Sequence, residues 1–253
     1  MKMKIVISNK KQTALSLILV LTILVGAVFS ANSFAKERLL PIYSVKTDKK
    51  VVALSFDAAW GNDDTETLIN ILAKYNAPAT FFVVGDWVDK YPESVKQLAD
   101  AGHQIQNHSN KHPYMTKLSD SAKIEELKTC NEKIAAVAGQ TPTLFRCPYG
   151  DYDNSVITAT ESIGMFTIQW DVDSLDWKEN ATPDSIFERV TSKVKNGSIV
   201  LFHNDADHTP AALPRILEKL KNDGYEFVFI NDLIYKENYQ IIHDGTQVLK
   251  KDG

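Results

Sequence analysis

Two histidines spaced four residues apart, His108 and His112, are the starting point for chemistry in this 253-residue sequence. On a helix or in a tight turn this spacing puts both imidazoles on one side of the chain, as a shared divalent metal requires. The same spacing also occurs in pairs of surface histidines. Because the pair follows a predicted strand and lies beside Asn107 and Ser109, we interpret both histidines as metal ligands. Such a metal, with one carboxylate added, keeps a position open for water and a substrate carbonyl.

Other residues able to do chemistry stand where further predicted strands end. With the first histidine, the residues concerned are Asp57, His108, Arg146, Asp176 and His203. The carboxyl ends of parallel strands meet at one edge of a sheet or barrel, and catalytic residues gather there. One such strand end could be an accident, but five in succession indicate a single polar pocket.

Strands and helices alternate from Lys50 onward, which is typical of a parallel sheet with helices outside it. Apolar runs predict strands at residues 51–56, 79–84, 103–106, 143–146, 166–170, 198–202 and 225–230. Apolar residues at helical spacing predict helices at 65–75, after Pro92, and at 118–138, 154–163, 182–194 and 210–222. An open doubly wound sheet shares this pattern, but no G-x-G-x-x-G follows the first strand. We therefore expect an α/β barrel, closed or incomplete, with about seven parallel strands.

The first 35 residues have the composition of a secretory signal. Lysines precede an apolar run at 14–31, and Ser33 and Ala35 stand at the −3 and −1 positions of a cleavage site. The run is also long enough to remain as an uncleaved membrane anchor. With either fate we expect an exported protein, secreted or held at the cell surface or cell wall, whose only membrane contact is through this segment.

Composition restricts the partners and the redox chemistry. The net charge of −4 and pI near 5.9 give no electrostatic reason to expect nucleic acid. Cys130 and Cys147 are too few for a disulfide framework, and we interpret them as unpaired, mostly buried thiols. We expect a monomer in which residues 36–49 form a linker, 50–235 the folded domain and 236–253 a polar C-terminal extension.

Five segments, in order, resemble the motifs of the NodB-type polysaccharide deacetylases, carbohydrate esterase family 4. The segments are Phe56-Asp57 and residues 108–112, 146–150, 173–177 and 201–203. The resemblance extends over residues 50–235 and implies a distorted, incomplete (β/α) barrel. It also implies a metal-dependent enzyme that hydrolyses N-acetyl groups of a polysaccharide.

The resemblance assigns acid–base roles to four residues. Asp57 would be the general base that takes a proton from metal-bound water, and Arg146 would fix and charge-balance it. His203 would be the general acid that protonates the departing amine, and Asp176 would orient its imidazole.

The metal site departs from the family pattern. His108 and His112 would hold a divalent metal, usually zinc in this family, but Ala58 stands where the family carries a ligating aspartate. Alanine cannot coordinate a metal, so the third ligand must come from elsewhere. We expect Asp64 to fold back as this ligand; its alternative role is to cap the following helix. Other candidates are Asp63, Asn62 or a water.

The substrate pocket would be built from three further residues. The resemblance implies that the Tyr149 backbone N–H stabilises the tetrahedral oxyanion together with the metal. Trp177 and Leu201 would wall the pocket for the acetyl methyl group. Trp60, beside the predicted base, suits either the core or a platform for a sugar ring.

Several substrates are compatible with such a site. Export favours peptidoglycan, and chitooligosaccharides and acetylated xylan are the alternatives. Because Ala58 removes a usual ligand, a glycan-binding relative without turnover is a second hypothesis. The acid–base residues argue against it, because pure binding requires no acid and base together. A serine esterase lacks the G-x-S-x-G turn that it would need.

Overall fold

Eleven strands form one curled sheet in residues 38–250, the part of the chain that this computed structural model describes. The strands are β1 Ser44–Val45, β2 Val51–Ala58, β3 Ala79–Val83, β4 Gln104–Asn107, β5 Leu144–Phe145, β6 Phe166–Thr167, β7 Val172–Asp173, β8 Ser198–His203, β9 Glu226–Val228, β10 Tyr239–Ile241 and β11 Thr246–Leu249. The predicted signal, residues 1–35, lies outside the described residues.

Eight α-helices connect these strands within the same residues. They are α1 Thr65–Lys74, α2 Gly85–Lys90, α3 Pro92–Asp100, α4 Asp120–Ala138, α5 Asn154–Ser162, α6 Pro183–Thr191, α7 Thr209–Asn222 and α8 Ile230–Leu233. Two of the predicted helices begin at capping residues: the Ser119 hydroxyl accepts the Ala122 N–H, and Pro183 follows the capping residue Thr182. Over residues 38–250 we find no helix with the length and hydropathy that crossing a membrane requires.

The sheet curls into an incomplete barrel, as predicted. Its strand order is β10-β11-β1-β8-β2-β3-β4-β5-β6, with β7 also paired to β8 and β9 to β2. Every pair from β8 to β6 along this order is parallel, whereas β1 runs antiparallel to β8 and β10 to β11. The carboxyl ends of the parallel strands therefore meet at one edge.

The central strand, β2, is buried over its whole length. Successive side chains of a strand point to opposite faces. Leu54 and Phe56 belong to the apolar cluster that includes residues of α1, α3 and α7, whereas Ala53 belongs to a separate cluster on the other face. Ser55 and Asp57 continue the face of Ala53. The alternation thus directs the Asp57 carboxylate away from α1, α3 and α7 and towards the inside of the curl.

The structure differs from the sequence expectation at both ends of the domain. The predicted linker, residues 36–49, contains β1, and the predicted extension, residues 236–253, contains the β10–β11 hairpin that pairs with β1. These strands contain polar residues, so the sequence shows no apolar run at either end of the domain. In the structure such polar side chains can be buried because they form hydrogen bonds. Gln247 is completely buried, and its amide accepts the Tyr235 N–H at 2.8 Å and donates to the Tyr235 carbonyl at 2.7 Å.

Replacing Gln247 by alanine should therefore destabilise the protein. The Gln247→Ala variant leaves the backbone N–H and C=O of Tyr235 without their partners, and we expect a loss of about 2 kcal/mol in the free energy of unfolding. Urea denaturation measures this. Gln240→Ala, at an exposed position of the same hairpin, should stay within about 0.5 kcal/mol of the parent. Equal stabilities of the two variants would contradict the role of Gln247.

Candidate active site

A cavity of about 540 Å³ opens at the carboxyl ends of the parallel strands. Its lining residues are Asp57, Ala59, Trp60, His108, His112, Tyr149, Trp170, Asp173, Trp177, Leu201 and His203. Most of the predicted site residues thus line one pocket, and Arg146 and Asp176 contact it from behind through their bonds to Asp57 and His203. Asp64 does not line it.

A buried ion pair forms the floor of this cavity. Arg146 is completely buried, and its Nη1 donates to Asp57 Oδ1 at 2.8 Å while Nη2 donates to Ser55 Oγ at 2.8 Å. The guanidinium also lies over the Phe82 ring, 4.1 Å from the centroid. Burial raises the pKa of Asp57, but electrostatic interactions with His108, Arg146 and His203 and the hydrogen bond from Arg146 outweigh it and hold this pKa below its ordinary value. Asp57 is therefore a buried carboxylate that stays ionised.

The two histidines lie in a loop after β4 rather than on a helix. Ser109 and His112 both have left-handed backbone angles, with φ of 68° and 57°. The Asn107 side chain accepts the Ser109 N–H at 2.7 Å, and the Ser109 hydroxyl accepts the His112 N–H at 2.9 Å. These bonds fix a turn that brings the two imidazole rings to within 4.9 Å of each other.

The ring orientation of His108 is set by its second nitrogen. Nδ1 lies 2.8 Å from the Arg146 carbonyl oxygen, and since a carbonyl only accepts, Nδ1 carries the proton. Nε2 then has a free lone pair, 3.2 Å from His112 Nε2 and 3.4 Å from Asp57 Oδ2. Burial lowers the pKa of both histidines, that of His112 to about 4, so both rings are neutral at neutral pH.

This pair fits a metal, but only as half of a ligand set. Two nitrogens bound to one tetrahedral zinc lie about 3.3 Å apart, because zinc–nitrogen bonds are about 2.0–2.1 Å long. The observed 3.2 Å matches that separation. Within residues 38–250, however, no three His, Cys, Asp or Glu side chains are grouped so that they could hold a metal ion. Ala58 itself is fully buried in the apolar cluster between sheet and helices.

The structure places Asp64 outside the lining of the cavity and does not group it with the two histidines. Asp64 Oδ2 accepts the Asp205 N–H at 2.9 Å, and burial raises the pKa of Asp64 to about 6. The alternative role is half right, because Asp64 takes the N-cap position of α1 by its backbone but makes no side-chain cap bond. The loop that precedes Asp64 is held by two further bonds, which fix the position of Asp64. The Gly61 carbonyl accepts from Trp87 Nε1, and the Gly61 N–H donates to Asp205.

Neither of the other two side-chain candidates for the third ligand lines the cavity. Asp63 is exposed, and the Asn62 amide donates to the Ser94 hydroxyl at 3.0 Å. The loop at 61–64 is thus bonded to α3 through Asn62 and to the segment after β8 through Gly61 and Asp64.

On the opposite wall of the cavity, His203 is bound to a buried carboxylate. Its Nδ1–H donates to Asp176 Oδ1 at 2.8 Å, and Asp176 Oδ2 accepts from the His203 N–H and the Thr209 hydroxyl. Burial lowers the pKa of His203, but the bond to Asp176 and the charges of Asp176, Asp57 and Asp173 raise it above its ordinary value overall. Trp60 stacks on the imidazole with the ring centroids 5.2 Å apart. His203 is thus a favoured site for a proton.

The predicted substrate residues also reach the cavity. Tyr149 lines the cavity and has a left-handed backbone with φ of 60°, which is strained for a non-glycine residue. Leu201 is nearly buried, whereas the Trp177 ring is exposed and can meet a substrate.

Comparisons with known proteins agree with this arrangement. The family model for polysaccharide deacetylase matches residues 44–168. The chain is 35% identical to a peptidoglycan-N-acetylglucosamine deacetylase of Bacillus cereus over 197 residues, which is 76% of the chain and 92% of that protein. The chain belongs to the polysaccharide deacetylase family, carbohydrate esterase family 4.

Family members differ in length and in activity. Peptidoglycan-N-acetylglucosamine deacetylase PgdA of Listeria monocytogenes is 38% identical over 207 residues, 81% of this chain but 42% of PgdA. The chain spans 40–62% of the first curated relatives that it matches. A solved structure from Bacillus anthracis, described as a family pseudoenzyme, is 36% identical with a TM-score of 0.74, covering 76% of this chain and 68% of its own. A mutant of that protein is described as having restored enzymatic activity.

Two positioning residues of this family member were missed in the sequence. Ser55 donates to the Val200 carbonyl and accepts from Arg146, so it links the ion pair to β8. The sequence could have indicated Ser55, because a serine two residues before Asp57 in an apolar strand lies on the same face as that aspartate. Tyr114, which stacks on Tyr149, gave no such signal, because nothing in the local sequence predicts a contact between two loops.

The Asp176→Asn variant should lower the pKa of His203. In the parent, Asp176 stabilises the protonated imidazole, so His203 keeps its proton to a higher pH than an ordinary histidine. Without that charge the proton should leave at a lower pH. Titration of the His203 ring by NMR measures this, with Asp184→Asn, at an exposed position, as the matched control. A pKa unchanged by Asp176→Asn would contradict the coupling.

Proposed function

We propose that this family member is an exported deacetylase that hydrolyses N-acetyl groups of peptidoglycan sugars with the help of a divalent metal. The observation that carries the proposal is the pairing of an ionised carboxylate with a proton-bearing histidine at one cavity. Asp57 and His203 are register partners on β2 and β8, so the sheet itself sets their separation. A protein that only bound glycans would not need a base and an acid fixed in this way.

Asp57 acts as the general base. Arg146 occupies Oδ1 and leaves Oδ2 on the side of the histidines, where a nucleophilic water would lie. The depressed pKa keeps the carboxylate ionised at any pH near neutrality, so it is always able to accept a proton. A carboxylate with a lowered pKa is also a weaker base. A weaker base is sufficient for a water whose own pKa has been lowered.

His108 and His112 would hold the metal. When bound, a divalent metal, zinc in most of the family, would supply a water of lowered pKa and polarise the acetyl carbonyl. The neutral rings and the convergent nitrogens support this assignment. The absence of a third side-chain donor from residues 38–250 predicts weaker metal binding than in a complete three-ligand site.

The remaining residues act on the acetyl group and the leaving amine. The Tyr149 backbone N–H would donate to the oxyanion that forms when water attacks the carbonyl. His203, kept protonated by Asp176, would donate to the departing sugar nitrogen as the carbon–nitrogen bond breaks. Trp177 and Leu201 would enclose the acetyl methyl group, since both line the cavity near these residues.

Peptidoglycan is the substrate that the relatives support. Peptidoglycan deacetylases from Listeria and Bacillus cereus match most of the chain's folded part, and such a substrate requires action outside the cytoplasm. The chain's predicted N-terminal signal agrees with this location. Chitooligosaccharides and acetylated xylan remain the alternatives, and acetate release from the three substrates compared side by side ranks them.

A second candidate function is glycan binding with little or no turnover. Two observations favour it: Ala58 replaces the usual ligating aspartate, and a pseudoenzyme is among the similar solved structures. The two candidates predict different results for acetate release in the presence of added metal.

Removing one histidine decides between the candidates. We expect the parent to release acetate from N-acetylated peptidoglycan with added zinc. We expect His108→Ala to lose its bound metal and at least about 100-fold in rate. The size of the loss follows because removing even an outer-shell partner of a metal lowers metal affinity or activity by about 10–100-fold. Acetate assay and elemental analysis measure both. Asp64→Asn, which keeps the size of that side chain outside the histidine pair, should retain metal and rate.

Each other outcome has a definite meaning. A loss of bound metal in Asp64→Asn would return Asp64 to the ligand set. A parent that binds glycan but releases no acetate with any divalent metal would overturn the deacetylase proposal and leave the binding protein.

A further inference from the structure

Exposed aromatic rings are concentrated at the cavity. In residues 38–250 the exposed large hydrophobic side chains are Trp60, Tyr114, Tyr149, Trp177 and Leu249. Three of the four aromatic residues line the cavity, and the fourth, Tyr114, stacks on one of them. Exposed apolar surface gathered beside a pocket marks a binding site more often than chance exposure does.

Tyr114 extends this aromatic surface beyond the cavity. Its ring lies over the Tyr149 ring with centroids 4.3 Å apart and planes 18° from parallel. Tyr149 in turn meets the edge of the His112 ring at 4.5 Å. Tyr114 and Tyr149 are 55% and 60% exposed in spite of these contacts, so both keep free ring surface. We call this pair the tyrosine platform.

The platform is held in place from both of its loops. Met115, directly after Tyr114, is fully buried, and the backbone and hydroxyl of Thr116 both donate to the Asp151 carboxylate at 2.9 Å. This bond ties the Tyr114 loop to the Tyr149 loop. Since the rings are already ordered, a ligand that stacks on them loses little side-chain entropy on binding.

We propose that the tyrosine platform binds a sugar of the glycan next to the sugar whose acetyl group enters the cavity. Tyr114 does not line the cavity, so a ring stacked on it belongs to a neighbouring unit of the chain. The C–H face of a pyranose is apolar and matches an aromatic face, while its hydroxyls stay in water. The inference rests on the proposed glycan substrate and adds Tyr114 as a residue that contacts a second sugar of the chain.

Affinity as a function of chain length tests this proposal. The full chain is titrated with N-acetylglucosamine and with its β-1,4-linked tetramer in the presence of a chelator, which suppresses turnover. We expect the parent to bind the tetramer more tightly than the single sugar and Tyr114→Ala to lose about fivefold to tenfold of that preference. Tyr114→Phe keeps the ring and should keep the preference. Leu249→Ala, which removes an exposed apolar side chain away from the cavity, should match the parent.

The outcomes separate this inference from the proposed function. If the parent gains no affinity with length, or if Tyr114→Ala keeps the full gain, the platform is not a subsite, whether or not acetate is released. If Tyr114→Ala loses the gain while the parent releases no acetate, the platform stands and the deacetylase proposal fails. Because Tyr114 is exposed, its replacement should not prevent folding, and circular dichroism of each variant checks this.

Discussion

The site depends on one buried ion pair, Arg146 with Asp57. An unpaired charge at such depth costs about 3–5 kcal/mol, so each partner requires the other. The pair also places the rest of the site: the Arg146 carbonyl fixes the tautomer of His108, and its N–H is bonded to the Asn107 carbonyl next to the histidine loop. Ser55 attaches the same guanidinium to β8, the strand that ends in His203. Four strands, β2, β4, β5 and β8, are thus linked through the side chain and the backbone of one residue, Arg146.

Around this centre, the residues proposed for acid–base chemistry have their partners, whereas the proposed metal site lacks a third side-chain ligand within residues 38–250. Asp57 and His203 have carboxylate or guanidinium partners that move their pKa values in the directions that a base and an acid require. The histidine pair has matching geometry but, within residues 38–250, lacks a third donor. Ala58 explains the difference, because the strand continues through it and the following loop is anchored elsewhere. A metal that binds weakly, or substrate atoms that complete its shell, would make activity depend on metal supply.

Sequence reasoning was reliable where one strand or one helix decides the outcome. The alternation of strands with helices and the position of polar residues at strand ends were sufficient to predict the barrel and to group Asp57, His108 and His203. It was less informative where two distant loops decide. Asp64 was expected at the metal, and in the structure one of its carboxylate oxygens accepts the N–H of Asp205, which the chain reversal after β8 brings near. The β10–β11 hairpin was missed because Gln247 is a polar residue of a type usually found at the surface. Only the structure shows that it is bonded to the Tyr235 backbone.

The ionisation of Asp57 is the most direct test of this account. Carbon-13 NMR of the Asp57 carboxyl in the metal-free protein, followed through acid titration, reports its pKa without any need for turnover. The account predicts that Asp57 keeps its charge to a pH below the ordinary value for aspartate, 3.8, because Arg146 and the histidines stabilise the carboxylate. A pKa above 3.8 would mean that burial outweighs the ion pair, and it would contradict the central role given to Arg146.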